Sequence, residues 1–151
     1  MIPKKPVMER ARIMRTLALA PESRLIELME NLGDLPAFEY LRTPQKGLVM
    51  IRATSAGDEL PFNLGEALVT RCSVAVNGFQ GHAYILGDDP EKCLAAALAD
   101  ALAQDVRYQM QIENIVQVLE SDLRSERTSE NNKIKDTRVE FFTLVRGEDA
   151  D

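Results

Sequence analysis

Few side chains in this sequence are suited to chemistry: one histidine, His82, two cysteines, Cys72 and Cys93, and the arginine nearest that histidine, Arg71. A lone histidine works as a base or a ligand only when other groups converge on it. Asn77-Gly78 supplies a means of convergence, because this dipeptide between apolar runs favours a two-residue type I′ hairpin. Pairing Val76 with Phe79 then sets Ala75 opposite Gln80, Ser73 opposite His82 and Arg71 opposite Tyr84 on one side of the sheet. Val74 with Gly81, Cys72 with Ala83 and Thr70 with Ile85 fall on the other. The second side is apolar, and a slip of one residue would bury the polar set in its place. Helices are therefore expected on the apolar side, and water, a ligand or another subunit on the polar one. Arg71, His82 and Tyr84 become candidate anion-binding residues, since a guanidinium, an imidazole and a phenol can all donate to an anion's oxygens. The plainer reading of the same residues is a cross-strand Arg71–Tyr84 stack beside a solvated histidine.

Other chemistry is sparsely provided for. Cys72 and Cys93 lack the C-x-x-C spacing of metal and redox sites, which points to reduced thiols in a cytoplasmic protein. Cys72 is expected in the core as a small hydrophobe. Cys93 falls in a first helical turn, a position that can lower a thiol pKa, but packing is the simpler reading. No phosphate loop, Gly-x-Gly-x-x-Gly, His-Glu-x-x-His or Gly-x-Ser-x-Gly elbow occurs, and no metal site is expected. A net charge of −6 and a pI near 4.9 remove the bulk attraction to nucleic acid. Glu9, Arg10, Arg12 and Arg15 interrupt the first apolar stretch, so neither a signal peptide nor a membrane span is expected.

A chain of 151 residues, 45% hydrophobic, is long enough to bury one core without staples. Val7, Ile13, Met14, Leu17 and Ala18 recur at helical spacing until Pro21. Glu22 to Asn31 reads as a second helix with Gly33 as a left-handed cap, giving an N-terminal helical hairpin. The period then shifts toward two. Phe38 to Arg42 and Gly47 to Ala53 read as an antiparallel pair joined by a turn at Thr43-Pro44-Gln45-Lys46. Leu60 to Leu64 and Ala67 to Val76 follow, with a glycine turn at Gly65 between them. Asp89-Pro90 opens a helix with an acidic N-cap and proline at N1. Leu94, Leu98, Ala101, Leu102, Val106 and Met110 form its stripe, which changes phase to Ile112, Ile115, Val116, Leu119 and Leu123. A break is expected near Gln109 to Gln111. The fold class is α+β: a helical hairpin, an antiparallel sheet with the Asn-Gly hairpin, long C-terminal helices and an extended tail.

Residues 1–120 are expected to form the domain, and 121–151 a charged arm ending in an apolar tail. Ser121 to Lys135 is too charged to fold alone. Beyond it, Arg138, Phe141, Phe142, Leu144 and Arg146 make a run that either closes the chain's own core or docks on a partner.

With these residues in view the sequence resembles a known family. Gly47-Leu48-Val49-Met50, Phe62-Asn63-Leu64-Gly65-Glu66 with Thr70-Arg71-Cys72, Gly81, Gly87-Asp88, Asp100-Ala101-Leu102 and Arg138-Val139-Glu140-Phe141-Phe142-Thr143-Leu144-Val145-Arg146-Gly147 are similar to the G subunit of the bacterial carbon-phosphorus lyase core complex, the PhnG family. The resemblance implies a cytoplasmic hetero-oligomer with H, I, J, K and L subunits, used when phosphate is scarce. It implies that the G, H, I and L proteins join methylphosphonate to the ribose of ATP with release of adenine. It further implies that an iron-sulfur cluster and S-adenosylmethionine serve a partner subunit, with no cofactor in this chain. A required but non-catalytic subunit is the reading adopted, with the tail docking on the I-type subunit. Its rivals are an anion-binding catalytic role for Arg71, His82 and Tyr84, and a stand-alone homodimeric module that self-associates when isolated.

Overall fold

The computed structural model describes residues 7–55, 57 and 60–136. Its elements run α1 (Val7–Leu19), α2 (Glu22–Glu30), β1 (Phe38–Thr54), β2 (Pro61–Val76), β3 (Phe79–Leu86), α3 (Pro90–Gln104) and α4 (Gln109–Asp136). The strands make one antiparallel sheet in the order β1-β2-β3, between two helices before it and two after it. The class is therefore α+β.

Local chemistry accounts for most of these boundaries. Ile13 and Leu17 of α1 and Leu25 and Met29 of α2 point inward one helical turn apart and are buried. Gly33 ends α2 at φ +81°, where a side chain would be strained, and its N–H donates to the Glu30 carbonyl at 3.1 Å. Asp89 caps α3 by accepting from the Lys92 N–H at 3.0 Å, with Pro90 in the first turn. Asn77 and Gly78 both have positive φ, and Val76 pairs with Phe79.

From that turn the ladder aligns Thr70, Cys72, Val74 and Val76 of β2 with Ile85, Ala83, Gly81 and Phe79 of β3. Thr70, Cys72, Val74, Val76, Ala83 and Ile85 are buried beneath α3, which packs on both strands and touches the other three helices. Helix α3 runs close to the sheet because it is rich in alanine and because Gly81 faces it. A β-carbon on Gly81 would lie 1.9 Å from the Ala97 carbonyl oxygen and 2.6 Å from the Ala101 nitrogen. Glycine is required there for close approach. The buried Thr70 hydroxyl is satisfied by donating to the Gly87 carbonyl at 2.6 Å and accepting from the Asp89 N–H at 3.1 Å.

Three expectations are corrected. Thr43-Pro44-Gln45-Lys46 is no turn: Phe38 through Thr54 is a single strand, which pairs along its length with β2. The extra residues are taken up by register shifts between Tyr40 and Arg42 and between Arg42 and Gln45. Pro44, which has no N–H to offer, is tolerated because β1 lies at the sheet edge. Gly65 likewise lies inside β2, beside a shift at Ile51/Arg52, and does not end a strand. The helix break falls at residues 105–108, ahead of Gln109, so the phase changes early and Val106 and Met110 face solvent while Ile112 is buried. Helix α4 runs unbroken past residue 121, with residues 124–135 exposed. Arg138, Phe141, Phe142, Leu144 and Arg146 lie outside the described residues.

Candidate functional site

The sheet face turned away from α3 gathers the polar candidates. Arg71 pairs with Tyr84 and Ser73 with His82 across β2 and β3, while Gln45 and Arg42 of β1 stand opposite Arg71 and Ser73. The sequence places Arg71, His82 and Tyr84 on one face, and there they lie. Arg42 escaped notice because two bulges, which leave little trace in a sequence, set its register.

His82 and Tyr84 are exposed, and Arg71 is half-buried. The His82 ring meets Ser73 at 2.9 Å between Nδ1 and Oγ. A hydroxyl against an imidazole is the first half of a nucleophile–base arrangement, which also needs a group that orients the base. Asp100, which does reach His82, bonds its backbone N–H and not the ring. The pair therefore reads as a cross-strand polar contact. Arg71 differs: its Nε is buried without a hydrogen-bond partner among the described residues. A guanidinium held part-dry on an open face, with Arg42 nearby in the register, can donate to an anion's oxygens or a partner's carboxylate.

Behind this face the acid–base groups are committed to structure. Asp100, 1% exposed, accepts from Arg10 Nε at 3.1 Å, Arg10 Nη2 at 2.8 Å and the His82 N–H at 2.9 Å. Gln104 Nε2 donates to the Gln80 carbonyl at 2.7 Å, and Arg10 Nη2 also reaches that oxygen at 3.3 Å. These contacts occupy the outer edge of β3. Sequence reasoning missed this cluster, whose partners are far apart in the chain. Arg12 bridges Glu113 and Glu120, and the hydrogen bond from Arg12 holds the Glu120 carboxyl below its usual range. Asp105 is pulled down to about 2, chiefly by the Arg107 side chain and then by the Arg107 N–H and the Asn77 amide. Both cysteines are buried. Burial pushes the Cys93 thiol up to about 12 and raises that of Cys72, so neither favours a thiolate. Their sulfurs point at backbone carbonyls, Cys93 at Thr70 and Ala83 and Cys72 at Arg42.

The cavities lie elsewhere. A groove of about 310 Å³ between α1 and α4 is lined by Arg12, Arg15, Thr16, Glu120, Arg124 and Arg127 among others. A more apolar one of about 500 Å³ lies between α2 and α3, at Ile26, Met29, Leu35, Leu94 and Leu98. Neither borders Arg71, His82 or Tyr84.

The chain is thus an α+β protein in which Asp100, Asp105, Glu113 and Glu120 are held by arginines and, among the described residues, no carboxylate meets the ring of the Ser73–His82 pair. Comparison with known proteins gives its family. The family model described as phosphonate metabolism protein PhnG matches residues 8–147, and the chain belongs to that family. A relative from Rhizobium meliloti (strain 1021), alpha-D-ribose 1-methylphosphonate 5-triphosphate synthase subunit PhnG, is 38% identical over 144 residues, covering 95% of this chain and 92% of the relative.

Proposed function

We propose that this chain is a subunit of a synthase that makes α-D-ribose 1-methylphosphonate 5-triphosphate from ATP and methylphosphonate with release of adenine, within the carbon-phosphorus lyase system, and that its part is structural. The observation that carries the reading is the 38% identity to the Rhizobium subunit over 95% of this chain. The structural role is supported by buried, protonated thiols and by a Ser73–His82 contact without an orienting acid among the described residues. On this reading the partners are the H, I, J, K and L subunits in the cytoplasm, under phosphate starvation. An iron-sulfur cluster and S-adenosylmethionine belong to a partner subunit. Arg138, Phe141, Phe142, Leu144 and Arg146 dock on the I-type subunit.

The test is adenine release from ATP and methylphosphonate by the reconstituted G, H, I and L proteins. Omitting this chain is expected to cut turnover at least tenfold, and ending the chain before Thr137 to prevent its co-purification with the I-type subunit. Turnover unchanged by omission overturns the reading. The unpartnered Nε of Arg71 favours a second reading, in which Arg71, His82 and Tyr84 grip the phosphonate or triphosphate. Arg71→Ala with His82→Ala separates the two. Under the structural reading the assembled complex keeps turnover within about twofold; under the second, the KM for ATP or methylphosphonate rises tenfold or more.

A further inference from the structure

The distal halves of β1 and β2 form a two-stranded ribbon that the helices do not cover. Along it, register pairs Leu48 with Leu68, Val49 with Ala67, Met50 with Glu66, Ile51 with Gly65 and Ala53 with Phe62. Directly opposed residues share a face and successive residues alternate. Leu48, Leu68 and Met50 therefore lie on one face, and Val49, Ile51 and Phe62 on the other. Leu48 is 64% exposed and Met50 54%, with Ile51, Phe62 and Leu68 each at 40% or more. Leu60 and Leu64 add 69% and 64%. An antiparallel ribbon in water normally keeps one polar face. This one has none.

The two strand edges of the sheet also differ. Asp100, Gln104 and Arg10 cap β3, whereas among the described residues β1 pairs only with β2. Bulges and Pro44 spoil the first part of the β1 edge, leaving the ribbon half, from Lys46 to Ile51, as the regular ladder. A long, regular apolar edge left open is what strand addition uses.

We infer that the ribbon is a docking arm, gripped on both faces by an apolar cleft of a different protein chain that adds a strand to β1 and sets carboxylates opposite its cations. Two observations select that occupant over a second copy. The apolar side chains lie on both faces, and a twofold contact through the edge would cover neither. Strand β1 carries Arg42 and Arg52 outside any ion pair among the described residues, with Lys46 paired to Asp88 and Glu39 its single acid, so a second copy would bring up a strand of like charge. An acidic strand meets those charges with complementary sign. The inference rests on the subunit reading above and assigns it a surface separate from the C-terminal tail.

The experiment uses the full chain, purified alone and co-expressed with the H-, I- and J-type subunits, with hydrogen exchange of amides 47–53 as one readout and co-purification of Met50→Asp and Ile51→Asp as the other. Assembly is expected to slow exchange of these amides at least tenfold. Each substitution should weaken capture a hundredfold or more while the isolated chain keeps its Tm within about 2 °C, because the ribbon adds little to the core. Normal assembly by both variants, with the amides unprotected, overturns the arm and leaves the subunit reading standing. Failure of the wild-type chain to join any of these subunits overturns both. Protection in the isolated chain of the outward-facing amides, those not bonded to β2, also overturns it, a dimer identifying a second copy as the cover and a monomer the chain's own remaining residues.

Discussion

The sheet is finished differently at its two ends. Near the Asn77-Gly78 turn, β2 and β3 lie under α3, their inward residues are buried and the outer β3 edge is capped by side chains from two helices. Toward the other end β1 and β2 run beyond the helices, with leucines, a methionine and a phenylalanine in water. Charge follows the same division in part. Arg10, Arg12, Arg24 and Arg107 of the helical layer each meet a carboxylate, whereas of the sheet cations Lys46 pairs with Asp88 and Arg42, Arg52 and Arg71 form no ion pair among the described residues. One end is closed by packing and side-chain caps; the other is open among the described residues, the kind of surface that assembly covers in the inference drawn above.

The largest test of that contrast is at the closed end. Gly81→Ala puts a β-carbon into the backbone of α3, where neither Ala97 nor Ala101 can turn aside. The helix must lift off the hairpin, exposing apolar residues across its whole contact. The expected loss is about 3 kcal/mol or more, a fall of roughly 10 °C in Tm for a chain of this size. An unchanged thermal melt for Gly81→Ala would show that the closed end is not packed as described.

Asp100→Ala comes next. It removes the acceptor of the His82 N–H and of two Arg10 nitrogens, but Arg10 is 44% exposed and can turn to water, so no charge is stranded. A loss of about 2 kcal/mol is expected, within the range for hydrogen bonds to a charged group. Urea unfolding of Asp100→Ala, Arg10→Ala and the double variant checks it: the double should be less destabilised than the sum of the singles, as for contacting residues. Strict additivity would mean that the pair does not close the β3 edge.

How much of this was legible in the sequence follows the same division. The hairpin register could be derived because Asn-Gly names the turn and alternation names the faces, and both signals are local. The α3 start was readable for the same reason, from Asp89 and Pro90. By contrast, the bulges of β1 use residues that elsewhere make turns, so one strand looked like two. Asp100, in an alanine-rich helix, looks like any solvated acid until folding brings up Arg10 and His82. The polar residues of the candidate site were placed correctly on one face, but which carboxylates are spent behind it depends on contacts no sequence window contains. The ribbon was readable as strands and not as exposed, because burial depends on how far α3 reaches.

The smallest effect sharpens the comparison through pH. Asp105 ties the α3–α4 junction to the hairpin turn by bonding Arg107 and Asn77, and its carboxyl lies near 2 instead of 3.8. A depressed pKa in the folded state means that the ionised acid favours folding. Its contribution is complete above about pH 4 and is lost as pH falls through about 2. Asp105→Asn should therefore lower the urea midpoint at pH 5, by less than Asp100→Ala does, and the gap from wild type should narrow steadily as the pH is taken toward 2. Hydrogen exchange at the Asn77-Gly78 turn should follow the same profile, while the ribbon amides, which have no such carboxylate behind them, should not. A gap between wild type and Asp105→Asn that stayed constant from pH 5 to 2 would mean that the carboxylate's charge does no work at the junction, and the closed end would then owe its closure to packing alone.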